Sequence, residues 1–261
     1  MSILLTDAEL ARIRAELDAD TQIGRMWRAL KARTYANTAE PVLAQPLKKQ
    51  LWGYVVWERI RDAASVYAIE PNEELGKWVH DRTMEVIHKD ADDWIGDWFC
   101  ARIGPPGEPR ARLETAHIVS AIFEAYDLCP DLFTKEEREE IVENVRVKGM
   151  IPFRRFYNIV DRFNNHYCAN TCGFAVSAVL CNDREAVKEA VSQFKFCQSL
   201  YNEDGYGETV QYSNYASLLL CHAWEVLVRY DSSLAEEIPM EFVANLMPSY
   251  VSCIVRRVLY H

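Results

Sequence analysis

Two polar stretches carry the residues best suited to chemistry. Arg162-Phe163-Asn164-Asn165-His166-Tyr167 sets an Asn pair and a His directly before an apolar helical run. Asp204-Gly205-Tyr206-Gly207-Glu208-Thr209-Val210-Gln211-Tyr212-Ser213-Asn214-Tyr215 does the same with Gly and Tyr. Carboxamides hydrogen-bond without titrating, whereas imidazole and phenol can move a proton. A helix N-terminus adds unpaired N–H groups and partial positive charge, which favours an anion and eases ionisation of a tyrosine. Asn164 or Asn165 also suits a plain N-cap, and the tyrosines also suit aromatic packing beneath a loop.

These side chains need helices to position them, and helical signals fill the chain. Thr6-Asp7-Ala8-Glu9 and Thr134-Lys135-Glu136-Glu137 are capping boxes, predicting helices from Thr6 to about Arg33 and from Thr134 to about Tyr157. Pro71-Asn72 opens a helix to about His88, and Asn182-Asp183 opens another to Leu200. Runs beginning near 47, 110, 166 and 211 are apolar on nearly all faces, while those near 6, 72, 135, 184 and 240 carry more charge. Buried and exposed helices therefore alternate. Long connections lead into the apolar helices and mostly short ones lead out, so the long loops gather at one rim beside the inner N-termini. His166 and Tyr212 lie 212 − 166 = 46 positions apart, one inner-outer-inner excursion, and so start neighbouring helices at the same end. No segment alternates over a strand's length. The expected fold is all-α, an incomplete α/α toroid of antiparallel helical hairpins forming one domain over 1–261.

Composition sets the limits on function. In 261 residues, 49% are hydrophobic and 26% charged, which suits a folded protein. The formal charge of −10 excludes a general nucleic-acid binder and gives no reason to meet an anionic membrane. The N-terminus lacks a basic, then apolar leader, and no apolar run approaches a membrane span, so a cytoplasmic location is expected. Eight cysteines lie mostly within apolar helical segments and read as reduced thiols. Cys168 and Cys172 sit one turn apart near His166, but the remaining cysteines lack zinc-site spacing; neither metal nor cofactor is expected.

Asn164-Asn165-His166-Tyr167 resembles the Asn-Asn-His motif of alginate lyases, and Gly205 to Tyr215 is similar to the Asp-Gly…Glu…Tyr-x-Asn-Tyr segment of heparinase II/III-type lyases. The resemblance covers roughly residues 110–230. It implies a polysaccharide lyase on an α/α toroid, usually followed by a β-sandwich-like domain, with this chain a fragment or a trimmed relative of that form, acting on an anionic oligosaccharide or polysaccharide. The matching positions imply Asn165 as neutraliser of a uronate carboxylate, Tyr212 as base, acid or both, and His166 as a partner in proton transfer. Asn164, Arg162, Glu208 and Tyr215 would bind or orient substrate. The long 89–109 loop falls on the same rim, and its Trp94, Trp98 and Arg102, with Arg110, suit stacking on sugar faces and pairing with carboxylates. A glycoside hydrolase using two of Asp161, Glu203, Asp204 and Glu208, or a non-catalytic helical scaffold, are the alternatives.

Overall fold

The computed structural model describes residues 2–39, 52–95, 110–157, 164–202, 205–206 and 209–240. Their elements are α1 (Asp7–Glu16), α2 (Gln22–Thr38), α3 (Trp52–Ile69), α4 (Glu73–Ile87), α5 (Ala91–Ile95), α6 (Leu113–Leu128), α7 (Lys135–Val145), α8 (Ile151–Tyr157), α9 (Asn165–Leu180), α10 (Arg184–Gln198), α11 (Val210–Tyr230) and α12 (Leu234–Glu237). A two-residue hairpin, β1 (Tyr201–Asn202) against β2 (Gly205–Tyr206), joins α10 to α11. The fold is all-α, as the helical periodicity required.

The caps act where the sequence placed them. Thr6 and Glu9 exchange side-chain and backbone bonds at the start of α1, and Thr134 and Glu137 repeat the exchange at α7. Asn72, Asn164 and Asp183 each accept a first-turn N–H. Each such cap contributes about 1 kcal/mol.

Two long predicted helices are broken. The first ends at Glu16 and restarts at Gln22, because Thr21 turns its hydroxyl onto Gly24 N–H and caps a new helix. The second passes through a π turn, Arg146–Met150, before Pro152, whose missing N–H disrupts the regular ladder. Gly149 lies in that turn, where a Cβ would stand 2.8 Å from Val119 Cγ2, so the turn presses directly on α6.

Helices α3, α6, α9 and α11 form the buried layer. In α6 every residue from Leu113 to Ala125 is buried, and so is every residue of α9 except His166. Close approach depends on glycine. A Cβ on Gly53 would stand 2.7 Å from Glu114 Cα, and one on Gly173 2.8 Å from Ala116 Cα, so α3 and α9 bring backbone against α6 from either side. The inner helices run parallel. Gly53 meets Glu114 near the start of α3 and α6, and near their ends the Cys129 thiol donates to Ala64 O. Tyr230 OH, ending α11, donates to Asn182 Oδ1 just beyond α9 at 2.6 Å. The starts of α3, α6, α9 and α11 therefore share one rim.

Candidate functional site

Near that rim, side chains from the first two turns of α3, α6 and α11 meet. Tyr54 of α3 donates to Tyr215 OH of α11 at 3.4 Å, and Tyr215 OH bonds His117 Nε2 of α6 at 2.9 Å. The Tyr54 and His117 rings lie 4.0 Å apart between centroids, and Trp57 covers His117 at 4.9 Å. His117 is fully buried, and burial pushes its pKa down to about 3, so the imidazole is neutral. With Tyr215 donating to Nε2, the ring proton belongs on Nδ1, which approaches the Leu113 carbonyl outside good hydrogen-bond geometry. Burial likewise raises the pKa of Tyr215 far above that of a free phenol, and raises that of Tyr54. Glu114, buried one turn before His117, also disfavours ionisation of both phenols. The cluster is thus neutral, fixed and hydrogen-bonded.

Tyr212 stands outside it. It lies one turn before Tyr215, with Thr209 capping the helix by accepting Tyr212 N–H, and it is 50% exposed. It adds a small opposition to the ionisation of Tyr54. On α9, Asn164 is the N-cap and accepts from His166 N–H at 3.0 Å. Asn165 is buried in the first turn, seven residues before Cys172 and so on the same helical stripe. Cys172 meets Ser120 of α6 and the backbone at Ala223 of α11, so that stripe faces the interior. His166 is only partly buried and shares its stripe with Gly173, which meets α6 at Ala116. Asn165 and His166 thus leave the helix start in different directions. Cys168 meets Cys197 on α10.

Trp94 does not line the rim. It is fully buried in α5, its indole N–H donates to Val86 O at 3.0 Å, and Thr115 Oγ1 donates to its carbonyl at 2.9 Å. An indole with no open face cannot stack on a sugar, so the sequence expectation is corrected: Trp94 anchors the start of α6. Arg110 lies just before α6, where Ala111 N–H donates to Pro152 O, and it is largely buried. Trp98, Arg102, Arg162 and Glu208, like the expected helix over 240–260, lie outside the described residues.

Tyr54, Glu114 and His117 were not singled out from sequence. A signal exists nonetheless. Glu114, His117, Ser120 and Glu124 recur at helical spacing through a mostly apolar α6, and polar side chains on a buried stripe need one another or a ligand. Among the described residues, no helix is long and apolar enough to cross a membrane. No protein-family model matches the chain, and no curated protein matches it.

Proposed function

We propose that this chain is a polysaccharide lyase on an incomplete α/α toroid, cleaving a uronate-containing oligosaccharide or polysaccharide by β-elimination at the rim. One observation carries the reading. Tyr212 is an exposed phenol at the N-terminus of an inner helix, beside a fixed neutral cluster of Tyr54, Tyr215 and His117. The same rim holds the start of α9, with Asn165, and Arg110 and Arg112 before α6.

In the proposed reaction the uronate carboxylate lies against the α9 N-terminus, with Asn165 buried in its first turn behind the N–H groups, and this end offsets negative charge as it develops. Tyr212, acting as the phenolate, takes the C5 proton. The C5–H electron pair becomes the C4–C5 double bond, the C4–O bond breaks, and the leaving oxygen receives a proton. Tyr212, protonated in the first step, returns it. Tyr215 is held by His117 and stays protonated, so its part is to fix the wall against which Tyr212 and the sugar lie.

Variant kinetics test the assignment. With release of unsaturated uronate followed by ultraviolet absorbance, Tyr212→Phe is expected to lose about two to four orders of magnitude in kcat with the fold intact. Asn165→Ala is expected to lose a comparable amount, about two to three orders. Near-normal turnover by folded Tyr212→Phe would exclude this phenol as the proton-transfer group.

A further inference from the structure

The stripes that form the rim cluster continue inward to a second polar group. Arg61, Glu124 and His222 lie seven residues beyond Tyr54, His117 and Tyr215 on α3, α6 and α11, and seven residues is two helical turns. Glu124 Oε1 stands 3.5 Å from His222 Nε2, and the Glu124 side chain is 6% exposed. Among the described residues its Oε2 has no hydrogen-bond partner, and Trp57 Nε1 faces the carboxyl without reaching hydrogen-bond geometry. Glu124 and His222 line a cavity of about 290 Å³, with Arg61, Ser65 and Glu225 among its polar walls and Leu4, Leu5, Ile13, Ile69 and Leu128 among its apolar ones. The wall at Leu4 and Leu5 is fixed, since Asp127 accepts from Ser2 Oγ, Ile3 N–H and Leu4 N–H at 2.6, 2.8 and 2.8 Å.

The charges around the cavity define what it can hold. Asp62 is occupied by Arg33 at 2.6 Å and by Arg61 Nε and Nη2 at 3.2 and 3.1 Å. Glu225 is occupied by Arg229, which also grips Glu9. Burial pushes the Glu124 carboxyl up to about 8 and the His222 imidazole down to about 4, so the pair holds a single proton at neutral pH and carries no net charge. Cys172, behind Glu124, stays a thiol because burial raises it to about 12. What remains is the outer N–H of the Arg61 fork, set over the Trp57 ring at 4.8 Å, together with a carboxylic acid that can donate.

We propose that this cavity binds a small aliphatic monocarboxylate, its head between Arg61 and Glu124 and its tail against the leucine and isoleucine wall. A carboxylate accepts from both groups at once, one of them a charge-assisted bond. A primary amine would meet Arg61 as a like charge, and a phosphate would bring a second negative charge among apolar side chains. The site is small, at the lower end of the range for ligand pockets. It shares helices with the rim but uses none of the residues assigned to lyase chemistry.

Titrating the full chain with hexanoate, hexylamine and hexanol, followed by protein-detected NMR, tests this. Hexanoate is expected to shift resonances of Leu5, Ser65 and His222 with saturation in the low-millimolar range or below, while the amine and the alcohol bind at least about tenfold more weakly. Arg61→Gln should weaken hexanoate about tenfold or more, and Ser65→Phe, which fills the cavity, should abolish the shifts. The proposal is overturned by absence of hexanoate binding to the folded wild type, by equal binding of hexylamine, by unchanged affinity in folded Arg61→Gln, or by shifts confined to the rim. The wild-type shift map decides the matter even if either variant fails to fold.

Discussion

The rim cluster and the inner cluster are two levels of one helical face, and they solve the problem of buried polarity in opposite ways. At the rim, a chain of hydrogen bonds joins Tyr54, Tyr215 and His117 and leaves His117 Nδ1 outside it, and the exposed phenol of Tyr212 stands beside them. Two turns inward, Glu124 and His222 face each other at 3.5 Å, with Glu124 Oε2 unsatisfied beside a cavity. A satisfied network fixes geometry, whereas an unsatisfied buried group costs free energy until something binds it. The first level suits positioning a reactive group. The second suits receiving a ligand.

The widest break in this arrangement comes from the backbone contact that brings α9 to α6. Gly173→Val would drive its side chain into Ala116, where even a Cβ stands 2.8 Å from Cα, so a loss of about 3 kcal/mol is expected in urea denaturation. A loss under about 0.5 kcal/mol, the size of an ordinary surface change, would show that the two helices can separate without cost.

Acidity separates the levels next. From pH 3 to 6.5 unfolded His117 holds a proton that the folded ring rejects, so the rim makes stability rise with pH across that window. Between 6.5 and 8 the folded Glu124–His222 pair keeps one proton that the unfolded chain has released, so the inner level makes stability fall as pH rises. His80 adds a decline above 6.5, because hydrogen bonds from its imidazolium to Asp81 and Glu137 outweigh burial and raise its folded pKa. Glu124→Gln should remove up to about 2 kcal/mol of the decline from 6.5 to 8, leaving the part due to His80. An unchanged slope in denaturation measured across that range would mean that Glu124 is ionised in the folded protein.

Deleting polar groups should then act with opposite signs. Tyr215→Phe strands the buried His117 Nε2 and is expected to cost about 1 to 2 kcal/mol. Glu124→Met removes an acid that is already unsatisfied and should be neutral or stabilising by about 1 kcal/mol. Equal losses from the two, compared by chemical denaturation at pH 7.5, would remove the distinction between the levels. The smallest effect belongs to Tyr212→Phe, which should change stability by less than about 0.5 kcal/mol because the ring is half exposed. A larger loss in the same measurement would mark Tyr212 as a packing residue.

Much of this was readable from the chain, for identifiable reasons. Capping at Thr6, Asn72, Thr134, Asn164 and Asp183 is local chemistry, and the alternation of apolar and charged helices is a one-dimensional pattern. The break at Thr21 was missed because the periodicity of the flanking segments runs through it. Trp94 was misplaced because its environment is made by Val86 and Thr115, from elements before and after it. Tyr54 sits in a helix rich in Trp, Tyr and Val, where nothing local separates a hydrogen-bonded phenol from a packed one. The two levels become visible only when three parallel helices are set side by side at a seven-residue spacing.

The most direct test of rim chemistry is to incubate the protein with alginate, heparan, hyaluronan and pectate oligosaccharides and follow ultraviolet absorbance from a C4–C5 unsaturated uronate. The expected result is absorbance growing on at least one of these substrates with wild-type protein and not with Tyr212→Phe. Folded wild-type protein that generates no unsaturated product from any of them, or a Tyr212→Phe variant that generates it at the wild-type rate, would contradict the assignment.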